Sequence, residues 1–325
     1  MNPVGVALIG AGPWGLTLGR AMARLPDVDL RWICELDPDR RAGAAGIASG
    51  ARLTGLLDEV LADPGVAAAF VAVDSARHHS VGLRVLQADR HLMVEKPLAL
   101  TVADASELSA LAAARRRVLA VGHLLLHHPA VRRARKLVAD GVLGETLWLE
   151  AARLAPGPAR TAGSVWWTLA PHDVSLALHL LDGVPTQVTA VGGAGRAAGE
   201  ETVVWATLHF DDGRLAHLHA ARRAAEKRRG FSIVGTARAL TFDELAAGGG
   251  ALHLHDPARA GAAAHGEPVP VDVIDALGAQ CRHFVSSVAR GDTGAGNGAH
   301  ALAVVRVLEA GARSIRAGGA PIEVA

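Results

Sequence analysis

Val4-Gly5-Val6-Ala7-Leu8-Ile9-Gly10-Ala11-Gly12-Pro13-Trp14-Gly15 is the stretch whose reading decides the fold. Its first half is a short apolar run, the pattern of a buried strand, and a helix is expected over Gly15–Arg24. Between them lies a G-x-G-x-x-G turn. Gly10 permits the tight bend, Gly12 lets the backbone approach a pyrophosphate, and Gly15 lets helix and strand pack closely. Free N–H groups and the helix dipole favour an anion at this helix start. Pro13 suits the first turn, because its missing N–H costs little there. A glycine pattern alone is weak, but a second strand ends at Cys34-Glu35, and Glu35 follows Gly15 by 20 residues. An acid there accepts bonds from the adenosine ribose and repels a 2′-phosphate, which favours NAD(H). Arg40 and Arg41 just downstream leave NADP(H) open.

Working outward, apolar runs alternate with helix-period segments up to about residue 122. Strands are expected at Val4–Ile9, Asp29–Cys34, Ala68–Val73, His91–Glu95 and Val118–Gly122, with helices over Asp39–Ala48, Leu56–Ala62, His79–Ala88 and from Thr101 to Arg116. Strands spaced by helices imply a parallel sheet covered on both faces. Beyond residue 122 the pattern changes. Pro129–Asp140 and Pro171–Leu181 read as helices, flanking a strand at Thr146–Arg153 and a Pro/Gly-rich loop over 155–163. Alternating runs at Gln187–Val191, Val203–Phe210, Arg214–Ala221, Phe231–Gly235 and Ala239–Phe242 read as a largely antiparallel sheet, and helices over Ile274–Ala289 and Ala299–Arg316 close the chain. The expected organisation is α/β over 1–122, a dinucleotide-binding domain. Residues 123–325 form an α+β domain for substrate binding and oligomerisation, with a last helix able to pack back on the first domain. The outer face of its sheet could bind another subunit, giving a homodimer or homotetramer.

Composition narrows the field. The 325 residues carry a net charge of +1, which excludes the sustained basic face that a nucleic-acid or membrane-surface role needs. Two distant cysteines, Cys34 and Cys281, cannot make a disulfide framework or a Cys-rich zinc site, and a reducing cytoplasm is the expected setting. The longest apolar runs fall well short of the ~20 residues of a membrane span. The 33 basic residues include three lysines only, at 96, 136 and 227, and the chain has no tyrosine.

That scarcity gives weight to His91-Leu92-Met93-Val94-Glu95-Lys96-Pro97. Ligands gather at the carboxyl ends of parallel strands, where this triplet falls. A partly buried lysine there could exchange a proton with a substrate hydroxyl, and Pro97 restricts it to an extended backbone.

With these motifs together the chain resembles the Gfo/Idh/MocA oxidoreductases, nicotinamide-dependent enzymes with an N-terminal Rossmann domain and a C-terminal domain built on an open sheet. Val71-Ala72-Val73-Asp74-Ser75-Ala76-Arg77-His78 is similar to the family segment Thr-Pro-x-x-x-His, with Asp74 at the usual proline and His78 aligned. The resemblance places Gly10, Gly12, Pro13, Trp14, Gly15, Glu35, Arg40, Val73, Asp74, His78, Glu95, Lys96 and Pro97 around the cofactor. One branch, which resembles nucleotide-sugar 3-dehydrogenases, fits Gly122–Val131, the string Arg153-Leu154-Ala155-Pro156-Gly157 and Trp167-Thr168-Leu169-Ala170-Pro171-His172-Asp173-Val174-Ser175.

The resemblance makes His172 the active-site histidine that shares the hydroxyl proton with Lys96, and a residue titrating near neutrality suits that work. Many relatives carry an aspartate four residues earlier, where this chain has Thr168, which cannot serve as a carboxylate base. Arg153, Trp167, Thr168 and His172 are the expected substrate contacts. The pairs His217/His219 and His253/His255 lack an acidic or cysteine partner at convincing spacing, so no metal site is expected. The expected reaction is hydride transfer between NAD(P) and a sugar-like carbinol or ketone carbon, with a nucleotide-linked sugar as leading substrate. Reduction of an imine or a non-sugar ketone in a biosynthetic pathway, and a non-catalytic NAD(H)-binding sensor, are the rival readings.

Overall fold

A computed structural model describes residues 3–48, 50–156, 163–193, 200–248, 250–256, 266–293 and 297–325. Most of the Pro/Gly-rich loop expected over 155–163, Gly157 included, lies outside the described residues. The chain forms two compact units. One comprises residues 1–124 and 275–305, the other 125–274 and 306–325.

The first unit is a six-stranded sheet of β1 (Val4–Ile9), β2 (Val28–Cys34), β3 (Arg52–Thr54), β4 (Ala68–Val71), β5 (His91–Val94) and β6 (Leu119–Val121), in the order β3-β2-β1-β4-β5-β6. Every pairing is parallel. Its helices are α1 (Pro13–Ala23), α2 (Pro38–Gly43), α3 (Leu57–Ala62), α4 (His78–Gln87) and α5 (Val102–Ala114). The strand order reverses beside β1, between the carboxyl ends of β1 and β4, where ligands bind in sheets of this kind. One apolar layer, with Leu92, Val94, Leu86 and Leu108, lies on one face of the sheet. The other face packs Leu8, Ile33 and Phe70 beneath residues of the later helix α9 (Ala276–Arg290), where the Phe70 and Phe284 rings meet edge-on at 5.1 Å.

Local chemistry sets these helix starts. The Thr101 hydroxyl accepts from Asp104 N–H to cap α5, and the Asp37 carboxylate accepts from Asp39 and Arg40 to cap α2. The helix expected over Asp39–Ala48 stops at Gly43, and Gly46, at φ +84°, lies in the turn that follows.

The second unit carries α6 (Pro129–Ala139), β7 (Thr146–Ala155), α7 (Val165–Thr168), α8 (Ala170–Leu181), β8 (Gln187–Gly193), β9 (Val203–His209), β10 (Leu215–Arg222), β11 (Arg228–Gly235), β12 (Ala239–Asp243), β13 (Ala251–His255), β14 (Glu267–Pro268) and β15 (Ile322–Glu323). The nine strands run β14-β13-β12-β11-β7-β10-β9-β8-β15. Only the β7–β10 pair is parallel; the other ladders are antiparallel. Alternation along β9 and β10 buries Val204, Ala206, Leu208, Ala216, Leu218 and Ala220 on one face. The last helix, α10 (Gly298–Arg316), contributes residues to both units. No helix among the described residues is long and apolar enough to cross a membrane.

Candidate active site

At the carboxyl edge of the parallel sheet a cleft of about 950 Å³ opens over the glycine turn, near the upper end of the range for small-molecule sites. The three glycines do different work there. Gly10 sits at φ +99°, and a Cβ on it would lie 2.5 Å from the Ala72 carbonyl oxygen. A Cβ on Gly15 would lie 2.1 Å from the Gly10 carbonyl oxygen, so helix and strand could not pack. A Cβ on Gly12 would meet nothing within 4 Å, so that glycine keeps open space in the cleft wall. This is the cradle that a pyrophosphate needs.

Glu35 sits beside it. Its carboxylate accepts from Ala11 N–H at 2.7 Å and Asp37 N–H at 3.0 Å, which ties the end of β2 to the glycine turn. Arg41 donates to the Glu35 and Leu36 carbonyls and is occupied by backbone, whereas Arg40 is exposed and lines the cleft. Gly10, Gly12, Pro13, Trp14, Gly15, Glu35, Arg40, Val73 and Asp74 all line it. So do Leu36, Leu56, Asp58, Arg77 and Arg84, which sequence reasoning passes over. Leu36, Leu56 and Arg77 come from the turns leading into α2, α3 and α4, Asp58 and Arg84 from α3 and α4 themselves, and their side chains carry no motif. These residues fit a dinucleotide, with an acid at the ribose end and free helix N–H groups at the phosphates.

The β5 edge lies in the same unit but outside this lining. Glu95 is 9 % exposed; its carboxyl accepts from the Trp14 indole and, at 3.3 Å, from Lys96 N–H. Burial pushes it above the usual carboxylate range, against the pull of those two donors and the Lys96 charge. A Cβ on Gly122 would come within 2.8 Å of its Oε1, which accounts for glycine after β6. Lys96 is half-buried, while Lys136 and Lys227 are exposed. The Lys96–Pro97 peptide is cis. His78 does not reach the cleft: it is 1 % exposed, with Nδ1 2.6 Å from the Pro97 carbonyl oxygen and Nε2 3.1 Å from that of Val73. The expectation that it touches cofactor gives way to a buried bridge between backbone carbonyls.

In the second unit, Ser164 caps α7 through Trp166 N–H and leads into α8, on which His172 is half-buried. Trp166 is a core residue: its indole donates to the Leu308 carbonyl at 2.7 Å, and a Cβ on Gly311 would strike its ring. Trp167 and Thr168 are half-buried. The Thr168 hydroxyl donates to the Ser164 carbonyl at 2.9 Å and accepts from Arg222 at 2.6 Å.

Arg153 departs from its expected substrate role. It is 5 % exposed, forked onto Asp173 at 3.0 to 3.3 Å and bonded to Glu244 at 3.1 Å. Burial alone would lower its pKa, but the charges of Asp173 and Glu244 outweigh that and raise it. The guanidinium is consumed in a buried ion network that Arg229 extends through Glu244. Of the histidine pairs, His219 stacks on Trp205 at 4.9 Å and His255 bonds the Thr241 hydroxyl at 2.8 Å.

Comparison with known proteins agrees with this architecture. Residues 4–123 match the model of an oxidoreductase family with an NAD-binding Rossmann fold, and residues 131–241 match the GFO/IDH/MocA C-terminal domain. A UDP-N-acetylglucosamine 3-dehydrogenase of Acidithiobacillus ferrooxidans is 31 % identical over 241 residues, spanning 72 % of this chain and 73 % of that one. A 2,7-anhydro-N-acetylneuraminate hydratase of Mediterraneibacter gnavus is 27 % identical across 77 % of this chain and 70 % of that one. The crystal structure of GenD2 from gentamicin A biosynthesis, in complex with NAD, superposes with a TM-score of 0.85 at 29 % identity, covering 100 % of this chain and 97 % of that one.

Proposed function

The chain belongs to the Gfo/Idh/MocA family of NAD-binding oxidoreductases, and from that premise we propose that it moves a hydride between nicotinamide and a carbinol carbon of a nucleotide-linked sugar. The observation that carries the reading is Lys96. It is the half-buried lysine of three, set at the carboxyl end of a parallel strand, and its backbone N–H is tied to the carboxyl that also binds a cleft residue, Trp14. Bound NAD supplies or takes the hydride. Glu35 and the open space at Gly12 hold its ribose and pyrophosphate. Lys96 and His172 share the hydroxyl proton, since the chain has no tyrosine and Thr168 offers no carboxylate. A relative acting on UDP-N-acetylglucosamine supports a nucleotide-linked substrate.

Substituting Lys96→Met should leave NADH binding within about threefold and cut turnover of UDP-N-acetylhexosamines by roughly 10²–10⁴-fold, the usual worth of a general acid–base group. Persistent turnover would remove Lys96 from the mechanism. Thr168, bonded to Arg222 and Ser164, favours a second reading in which an imine or unlinked ketone is reduced. Thermal protection by UDP or dTDP alone supports the nucleotide-sugar reading, and its absence supports the second.

A further inference from the structure

His78 is a buried polar side chain at the carboxyl edge of the parallel sheet to which neither the glycine turn, Glu35 nor the reading of Lys96 gives a role. We propose that His78 is a positioning residue, which lies between the Pro97 and Val73 carbonyls, donates to that of Pro97 through Nδ1–H and so fixes the backbone that carries Lys96. The proposal rests on the reading of Lys96 as proton carrier.

The two carbonyls belong to neighbouring strand ends. β4 and β5 pair in register at Val71 and Val94, and the chain leaves each for a separate turn. The first turn supplies Val73 and Asp74 to the cofactor cleft. The second carries Glu95, Lys96 and Pro97. His78 opens α4, and its buried ring meets one carbonyl of each turn. Lys96 is thus held from two sides: its own N–H meets the Glu95 carboxyl at 3.3 Å, and the next residue's carbonyl meets His78 Nδ1 at 2.6 Å.

A carbonyl oxygen only accepts, so each contact needs a protonated ring nitrogen. Burial and the charge of Lys96 lower the pKa of His78, while the two carbonyls and Asp74 oppose this. We assign a proton to Nδ1, the nitrogen of the shorter contact. The tie to Pro97 is then the working bond.

Three lysines make a direct test. Reductive ¹³C-dimethylation keeps each charge and gives one methyl signal each for Lys96, Lys136 and Lys227, with Lys96 assigned by its loss in Lys96→Arg. In His78→Leu, which keeps bulk but no donor, the Lys96 signal should shift, its titration midpoint should move by about half a pH unit or more, and its response to NADH should weaken. The other two signals should not move. His78→Met, which also lacks an N–H donor, should behave as His78→Leu and is decisive if that variant is insoluble; His78→Asn, whose amide N–H stands where Nδ1–H stands, should lie near wild type. With a competent sugar substrate, kcat should fall roughly 10–10²-fold at a substrate KM within about threefold, as for a small displacement of a reacting group. A lowered Tm with unchanged Lys96 shift, titration and NADH response in both variants would make His78 structural only and overturn the proposal. The NMR arm needs no substrate, so failure of every sugar to turn over would count against the function and leave the His78 result standing.

Discussion

Gly12 separates binding from folding at the scale of one residue. Its φ of −64° and ψ of 179° suit any L-residue, and no atom lies within 4 Å of an added Cβ. Gly12→Val should therefore fold, losing about 1 kcal/mol at most as a poorer helix cap. The valine would still stand in the space kept for pyrophosphate. Fluorescence titration should show NADH affinity reduced tenfold or more while Tm falls by only a few degrees. Full NADH affinity would mean that the cofactor backbone does not approach Gly12. Gly10 and Gly15 cannot be tested in this way, because a Cβ on either collides with backbone and folding would fail together with binding.

Elements are held together by polar groups whose partners lie far apart in sequence. Arg153 near the end of β7 meets Asp173, in the first turn of α8, 20 residues on, and Glu244 91 residues on. Arg153→Met leaves the Asp173 carboxylate buried without its cation and should cost about 3–5 kcal/mol in denaturant unfolding. Arg153→Met/Asp173→Leu should recover most of that loss; equal loss in both would mean that Arg153 acts by packing alone. His91 at the start of β5 gives a pH dependence. Its Nδ1 accepts from Val118 N–H at 2.9 Å, and burial, helped by Arg117, lowers its pKa to about 4. The unfolded chain takes up a proton here near pH 6.5 and the folded chain does not, so stability present above pH 6.5 is lost as pH falls towards 4. His91→Gln should flatten that part of the stability profile, and an unchanged slope would assign it to other groups. The same distances explain what was legible. The glycine turn, Glu35 and the strand end at Lys96 are local patterns, and the parallel order follows from strand–helix alternation. Short strands such as β3 and β15 have too few residues for a period, and nothing around Arg153 announces partners in other elements. His78 was visible as a motif position, but its two carbonyl partners are backbone and leave no mark in sequence.

At the scale of the whole molecule, one face of the nine-stranded sheet carries exposed apolar side chains. Register places Val191, Trp205 and His219 in one row across β8, β9 and β10, and His209, Leu215 and Trp148 in another across β9, β10 and β7. Val191, Trp205, Leu215 and Trp148 are all exposed, an apolar patch of the sort that marks an interaction surface. Sheet strands have mates on both sides here, so the patch offers side chains rather than free backbone, and a flat partner of the same kind fits it. A two-fold arrangement would set each tryptophan against its counterpart's row and bury the patch twice over. We propose that this face pairs with a second copy of the chain. Sedimentation velocity should then show an oligomer for the native protein and a monomer for Trp148→Glu/Trp205→Glu, because two carboxylates per copy cannot be buried there without cations. The circular dichroism spectrum should not change, since both side chains point away from the core. A monomer before substitution, or an oligomer that survives it, would assign the exposed tryptophans another partner.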